Sequence, residues 1–364
     1  MLTTIEPAAC GCGTDWTAAR HAAQRILKSA YRVDLRKALN PLDDDDFLLI
    51  VQLLTDELHA IAGPVEKAAV EAALAALDVD YAALAGAELA QVVRAANLAL
   101  RDIPTKVLPT LTSKITQSVT DTVNGTKVSA AVTYNWTINT AFDAVDQNMV
   151  NAMGRLGSWV LDEYGNRAAM FSTGAQTIIQ QGLSEGLRNA DIAKDLQRLG
   201  AKTSGRRSLR YWNLVATNAS NRARGWGHLR SMDSAGIQEY EYFAILDERT
   251  SLQCRALHGT IFPVSTGLKA YTDLELATQG DAQAAEKLMP FVKTRALGGG
   301  NSELYVEPPG SARTVIGQAV GSAVGLADVR GTFQNVLGPG QLAAAGVTVP
   351  PIHHACRSTI LPVI

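Results

Sequence analysis

Cysteine and histidine recur together at two places near the end of this 364-residue chain: Cys254 with His258, and His353 with Cys356. Zinc favours tetrahedral sets of thiolate and imidazole ligands, so four such side chains from two distant segments could enclose one ion and pin the segments together. Cys254 and His258 have the spacing of one turn or a tight loop, and Pro350-Pro351 stiffens the approach to the second pair. Two other readings stay open. The thiols could be small buried hydrophobes with the imidazoles hydrogen-bonded around them, or Cys254 and Cys356 could form a disulfide. Four cysteines in so long a chain fall far below the density of a disulfide scaffold, so in a reducing compartment metal ligation comes before a bridge. Cys10-Gly11-Cys12 cannot span an ion alone and reads as part of a terminal tail.

Charged residues flank both pairs. Asp247 and Arg249 precede Cys254, and Arg357 follows Cys356; a guanidinium fork meets a carboxylate with two hydrogen bonds, so these three are expected to form ion pairs locking the blocks together. No nucleophile-and-base pair is legible, no Gly-rich phosphate loop is present, and the His-x-Glu and Pro-Cys-x-x-Cys elements of a zinc deaminase are missing. The expectation is therefore a protein without catalytic residues. A further feature is a stretch from Asp195 to Asp233 with no acidic residue between them, where Arg206, Arg207, Arg210, Arg222 and Arg224 are interleaved with Tyr211, Trp212 and Trp226. Such a stretch could touch DNA or an acidic partner, or could be a solvated helix face whose long side chains cover apolar surface.

Composition and pattern supply the elements that position these residues. With 47% hydrophobic residues the chain can bury proper cores in two or three domains, and a net charge of −2 argues against a protein that coats nucleic acid. No run of 18 apolar residues and no signal-peptide pattern is present, so a soluble protein made in a cytosol, with no membrane partner, is expected. Asp43 to Asp46 precede an apolar stripe at helical spacing, Phe47, Ile50, Val51, Leu54 and Leu58. Gly63-Pro64 is expected to end that helix and start the next, and Asn124-Gly125 to mark a turn after a helix carrying Leu108, Leu111, Ile115, Val119 and Val123. A helical hairpin follows from Ile178 to Leu199, then a long helix to about Met232, then a strand over Tyr240 to Leu246, with short strands at Ile261 to Val264 and Ile360 to Val363. The fold class is mainly α with a small α+β C-terminal domain: a helical region over 1–173 and a second domain over 174–364, with a Gly/Ala-rich excursion at about 298–346.

The two motif blocks resemble the phage Mu F-like family of minor head proteins, also called phage head morphogenesis proteins. The resemblance rests on Asp247, Arg249, Thr250, Cys254 and Gly259, followed far downstream by Pro350, Pro351, His353, Cys356 and Arg357. It extends back through Ile178 to Leu199 and Asn213 to Gly236, roughly the last half of the chain; Thr217-Asn218 stands where members often have Thr-Glu, so no role of that Glu carries over. The resemblance implies a minor capsid protein acting in head assembly, made in the host cytoplasm and built into the capsid interior at the portal vertex. The implied partners are the portal protein and the major capsid or scaffolding protein, with packaged DNA a further one if the protein is ejected with it. The helical half would dock on portal or capsid. The alternatives are a metal-dependent hydrolase or toxin-delivery module and a DNA-binding ejection protein.

Overall fold

The computed structural model describes residues 39–84, 86–155, 158–203, 209–247, 250–278, 286–320 and 332–364; Cys10, Cys12, Arg206, Arg207 and Arg249 lie outside them. Helix α1 (Asp44–Ala76) begins where Asp43 accepts a hydrogen bond from the Asp46 amide at 2.9 Å, and Asp44, Asp45 and Asp46 fill the first turn, where the helix dipole favours carboxylates. Gly63-Pro64 does not break it. Proline inside a helix costs about 3 kcal/mol, yet Leu54, Leu58, Ala62, Glu66, Ala69 and Ala73 form one buried stripe through the site, and packing along that stripe outweighs the local penalty. By length and apolar composition α1 resembles a membrane span, but this stripe is buried in the protein's own core.

Helices α2 (Gly86–Arg101) and α3 (Ile103–Thr133) follow. Asn124-Gly125, expected as a turn, lies inside α3. Gly125 is there for close approach: a Cβ on it would stand 3.1 Å from Pro41 Cγ. The Thr-rich sequence is tolerated because Thr122 and Thr126 donate to the carbonyls of Ser118 and Thr122 at 2.8 and 2.7 Å, leaving no buried hydroxyl of theirs without a partner. Helices α4 (Ala144–Arg155), α5 (Ser158–Ser184), α6 (Asn189–Thr203) and α7 (Leu209–Ser234) complete the helical part. Residue 174 falls inside α5, and a single hydrophobic core runs from Phe47 to Ile360.

The C-terminal part has two small antiparallel sheets. Strand β1 (Glu239–Phe243) lies between β2 (Thr260–Pro263) and β7 (Thr359–Pro362), with Tyr242 opposite Thr260 on one side and Ile360 on the other. Alternation buries Tyr240 and Tyr242 on one face. Between them come helices α8 (Leu252–Leu257), α9 (Val264–Thr278) and α10 (Pro339–Ala344). The stretch at about 298–346, expected as an excursion with some helix, holds α10 and also three strands of a second sheet, ordered β3 (Lys293–Gly298), β4 (Asn301–Val306), β5 (Thr314–Val320), β6 (Thr332–Gln334). Its Gly-rich composition hid short strands, whose inward residues Leu304, Val306, Ile316 and Ala319 are buried.

Helix α7 sits at the centre, packed against α1, α3, α4, α9 and β7. Gly227 permits the α3 contact, because a Cβ there would lie 2.9 Å from the Val123 carbonyl oxygen. Beside it, Lys127 of α3 pairs with Asp146 of α4 at 2.8 Å, with side chains only 4% and 0% exposed. Lys127 also donates to the Ala141 carbonyl at 2.5 Å, and Trp226 Nε1 of α7 donates to Asp146 at 3.0 Å. Removing one member of a buried pair leaves an uncompensated charge. Asp146→Asn is therefore expected to lower the free energy of unfolding by roughly 3 kcal/mol, read by urea denaturation; a loss below about 1 kcal/mol would show that the pair is not a stabilising junction.

Candidate functional site

The residues that bring the two motif blocks together are placed by ordinary local rules. Ser251 caps α8, its hydroxyl accepting from the Cys254 amide at 3.3 Å, and the cap fixes the turn that carries Cys254. From the other end of the chain comes the Pro350–Cys356 segment, with a cis Pro350-Pro351 bond and Ala355 at a φ of 57°. Strand β1 supplies Tyr242 from below.

These elements bring Cys254, His353 and Cys356 together, their ligand atoms all within 4.8 Å of one another. Cys254 and Cys356, 102 residues apart, have sulfurs 3.6 Å from each other. His353 Nε2 lies 2.9 Å from Cys254 Sγ and 2.8 Å from Ser251 Oγ. The Tyr242 hydroxyl lies 3.6 and 3.7 Å from the sulfurs of Cys254 and Cys356. His353 Nδ1 is 2.6 Å from the His354 carbonyl oxygen; a carbonyl only accepts, so Nδ1 carries the hydrogen and a neutral ring keeps its Nε2 lone pair facing the sulfurs.

His258 is not in the group. Its Nδ1 accepts from the Ala244 amide at 3.2 Å and its ring packs edge-on against Phe243, so it caps the end of β1. His354 is exposed and packs on Phe291. Burial pushes the Cys254 thiol well above its ordinary pKa, and hydrogen bonding to Cys356 adds to this. Cys356 is also penalised by burial, but hydrogen bonds from Cys254 and His353 and the charge of His353 outweigh it and hold Cys356 well below the usual thiol range. Burial opposes charge on His353, yet its bond to Cys356 raises its pKa overall. The two sulfurs thus differ: burial disfavours charge on Cys254, while its neighbours favour charge on Cys356.

The ionic frame lies alongside. Arg357 Nη2 donates to Asp247 Oδ1 at 2.5 Å. Arg255 donates to the Asp247 and Thr250 carbonyls at 2.6 and 3.0 Å, and Thr250 Oγ1 accepts from the Asp247 amide at 2.8 Å. Asn221 of α7 donates to the carbonyls of Cys356 and Ser358 at 2.7 and 3.3 Å. Arg224, one turn on, donates to those of Arg357 and Ser358, both at 3.0 Å.

Arg224 corrects the reading of the basic stretch as a DNA-facing surface. It is completely buried, its cationic group 3.7 Å from the centre of the Phe47 ring and 3.5 Å from Asp44. Arg222 is half-buried and reaches Met289 Sδ at 2.9 Å, and Arg230 pairs with Asp143 at 2.8 Å. The acids missing from the local sequence come from other helices. Of the described candidates, Arg210 is exposed.

Residues 174–273 match the protein family described as Phage Mu protein F like protein. The chain carries a phage Mu F-like domain. No curated protein and no solved structure matches the chain. The Mu F-like match includes α6, α7, β1 and Cys254; the Pro350–Arg357 block lies outside it and is packed against it.

Sequence reading missed Tyr242, Ser251, Asn221 and Arg255 around the cluster. Ser251 was open to it, since a Ser three residues before Cys254 is an N-cap signal. Asn221 and Arg224, three apart in a helix, share a face, but their targets are carbonyls that no sequence pattern announces.

Below the site, His228 is buried and stacked with Tyr134 at 5.6 Å between ring centres. Burial, aided by the Arg224 charge, pushes its pKa down to about 3. An unfolded histidine takes up its proton near pH 6.5, so between about 6.5 and about 3 the unfolded chain binds more protons. The contribution of neutral His228 is complete above that window and is lost as pH falls through it, by about 1.4 kcal/mol per pH unit. The stability advantage of wild type over His228→Gln is expected to shrink between roughly pH 7 and pH 5 in urea denaturation; parallel pH profiles would contradict this.

Proposed function

We propose that this protein is a minor component of a phage head, placed inside the head at the portal vertex, where it acts in head assembly through contacts with the portal protein and its neighbours. The observation that carries this reading is the Mu F-like match over residues 174–273, which belongs to head-morphogenesis proteins. A hydrolase built on Cys254 or Cys356 needs an accessible nucleophile, and these thiols are 3% and 0% exposed. The DNA-binding alternative loses Arg224, whose charge is spent inside the protein.

Quantitative mass spectrometry of heads purified from the phage that encodes the chain tests the reading. The protein is expected in wild-type heads at far lower abundance than the major capsid protein, and to be depleted from heads assembled without the portal protein. Its absence from heads, or equal incorporation with and without portal protein, would contradict placement at the portal vertex.

A further inference from the structure

We infer that Cys254, His353 and Cys356 are ligands of one zinc ion, with the Tyr242 hydroxyl closing the fourth side. Two thiolates bound to tetrahedral zinc at roughly 2.3 Å each stand about 3.8 Å apart, and the two sulfurs here are 3.6 Å apart. An oxygen ligand on the same ion would stand about 3.5 Å from each sulfur; Tyr242 Oη is at 3.6 and 3.7 Å. His353 Nε2 is closer to Cys254 Sγ, at 2.9 Å, than the roughly 3.6 Å of a tetrahedral edge, so the ring would withdraw by a fraction of an ångström to admit the ion. Ser251 Oγ and Cys254 Sγ both meet the single lone pair of that nitrogen; an ion on that lone pair would replace both contacts, with Ser251 Oγ still accepting from the Cys254 amide.

The surroundings are those of a metal site. A ligating histidine usually donates its other ring N–H to a backbone carbonyl or carboxylate, which fixes tautomer and orientation. His353 Nδ1 meets the His354 carbonyl oxygen at 2.6 Å, and Asn221 holds the Cys356 carbonyl at 2.7 Å. A disulfide has no use for a nitrogen converging on the sulfurs, and it would need them to close from 3.6 Å to about 2.05 Å. Binding takes both sulfurs as thiolates and His353 as a neutral ring, and releases to solvent the protons that the trio carries, with no change in oxidation state. The two ligands nearest the chain end would then be joined to Cys254 across a loop of 102 residues, a link that stabilises the folded state because the unfolded chain holds no such site.

The test uses the full-length protein, expressed with zinc and purified under reducing conditions. Elemental analysis is expected to give about one zinc per chain. Cobalt(II) added after zinc removal is expected to produce the thiolate-to-metal charge-transfer band and the intense visible bands of a tetrahedral site. Cys356→Ser and His353→Ala should lose most of the metal while keeping helical circular dichroism. Tyr242→Phe should keep it with affinity reduced at least tenfold against a competing chelator. Wild-type protein that retains its fold yet binds neither zinc nor cobalt, or a Cys254–Cys356 disulfide in the freshly purified chain, would overturn the inference without recourse to variants. Unchanged affinity in Tyr242→Phe would remove Tyr242 from the ligand set.

Discussion

A buried guanidinium organises this molecule. Arg224 has no exposed surface, and burial pushes its pKa down to about 10, which leaves it charged at neutral pH. A charge in that position is tolerable only if its donors and its field are answered. The field is answered by Asp44 and Phe47 in the first turns of α1, and the Nη2 donor by the carbonyls of Arg357 and Ser358 just before β7. One side chain of α7 thereby fixes where the described chain begins its core and where it ends it. Burial also raises the pKa of Asp44, against the lowering effect of the guanidinium, although its side chain is 47% exposed where the pair meets solvent.

The Mu F-like stretch is built into the fold around this constraint. Its matched stretch ends at residue 273, yet β1 within it is paired on one side with β7, and Cys254 within it meets His353 and Cys356. The last strand and the Cys/His cluster are positioned by the same run of carbonyls that Asn221 and Arg224 hold. The second sheet, β3 to β6, is inserted between the two halves of the site without separating them. Helices α1 and α3 also pack on α7, so the N-terminal helices and the Mu F-like stretch share one core.

Much of this was legible in the sequence, for identifiable reasons. The stripe from Phe47 to Leu58, the Tyr240–Tyr242 alternation and the two motif blocks are local patterns with a single physical meaning, and each locates an element or a cluster member. The misreadings share a cause. Gly63-Pro64 and Asn124-Gly125 favour breaks when judged by themselves, but α1 and α3 are held by long-range packing that a dipeptide rule does not contain. Arg224 looked like surface charge because its acid, Asp44, is far away in the sequence. His258 was grouped with Cys254 by spacing, whereas the strand end at Ala244 competes for its ring nitrogen. Small β-strands in a Gly-rich stretch carry too few residues for periodicity to register.

Native-state hydrogen exchange on wild type and Arg224→Met tests most directly whether Arg224 couples the two ends. In wild type, the first turns of α1 and the amides of β7 are expected to open with the same free energy, and in Arg224→Met both should lose several kcal/mol together, on the scale of breaking a buried ion pair. If the two segments open independently in wild type, or if the substitution loosens one and spares the other, the buried guanidinium is not what joins the N-terminal helices to the C-terminal strand.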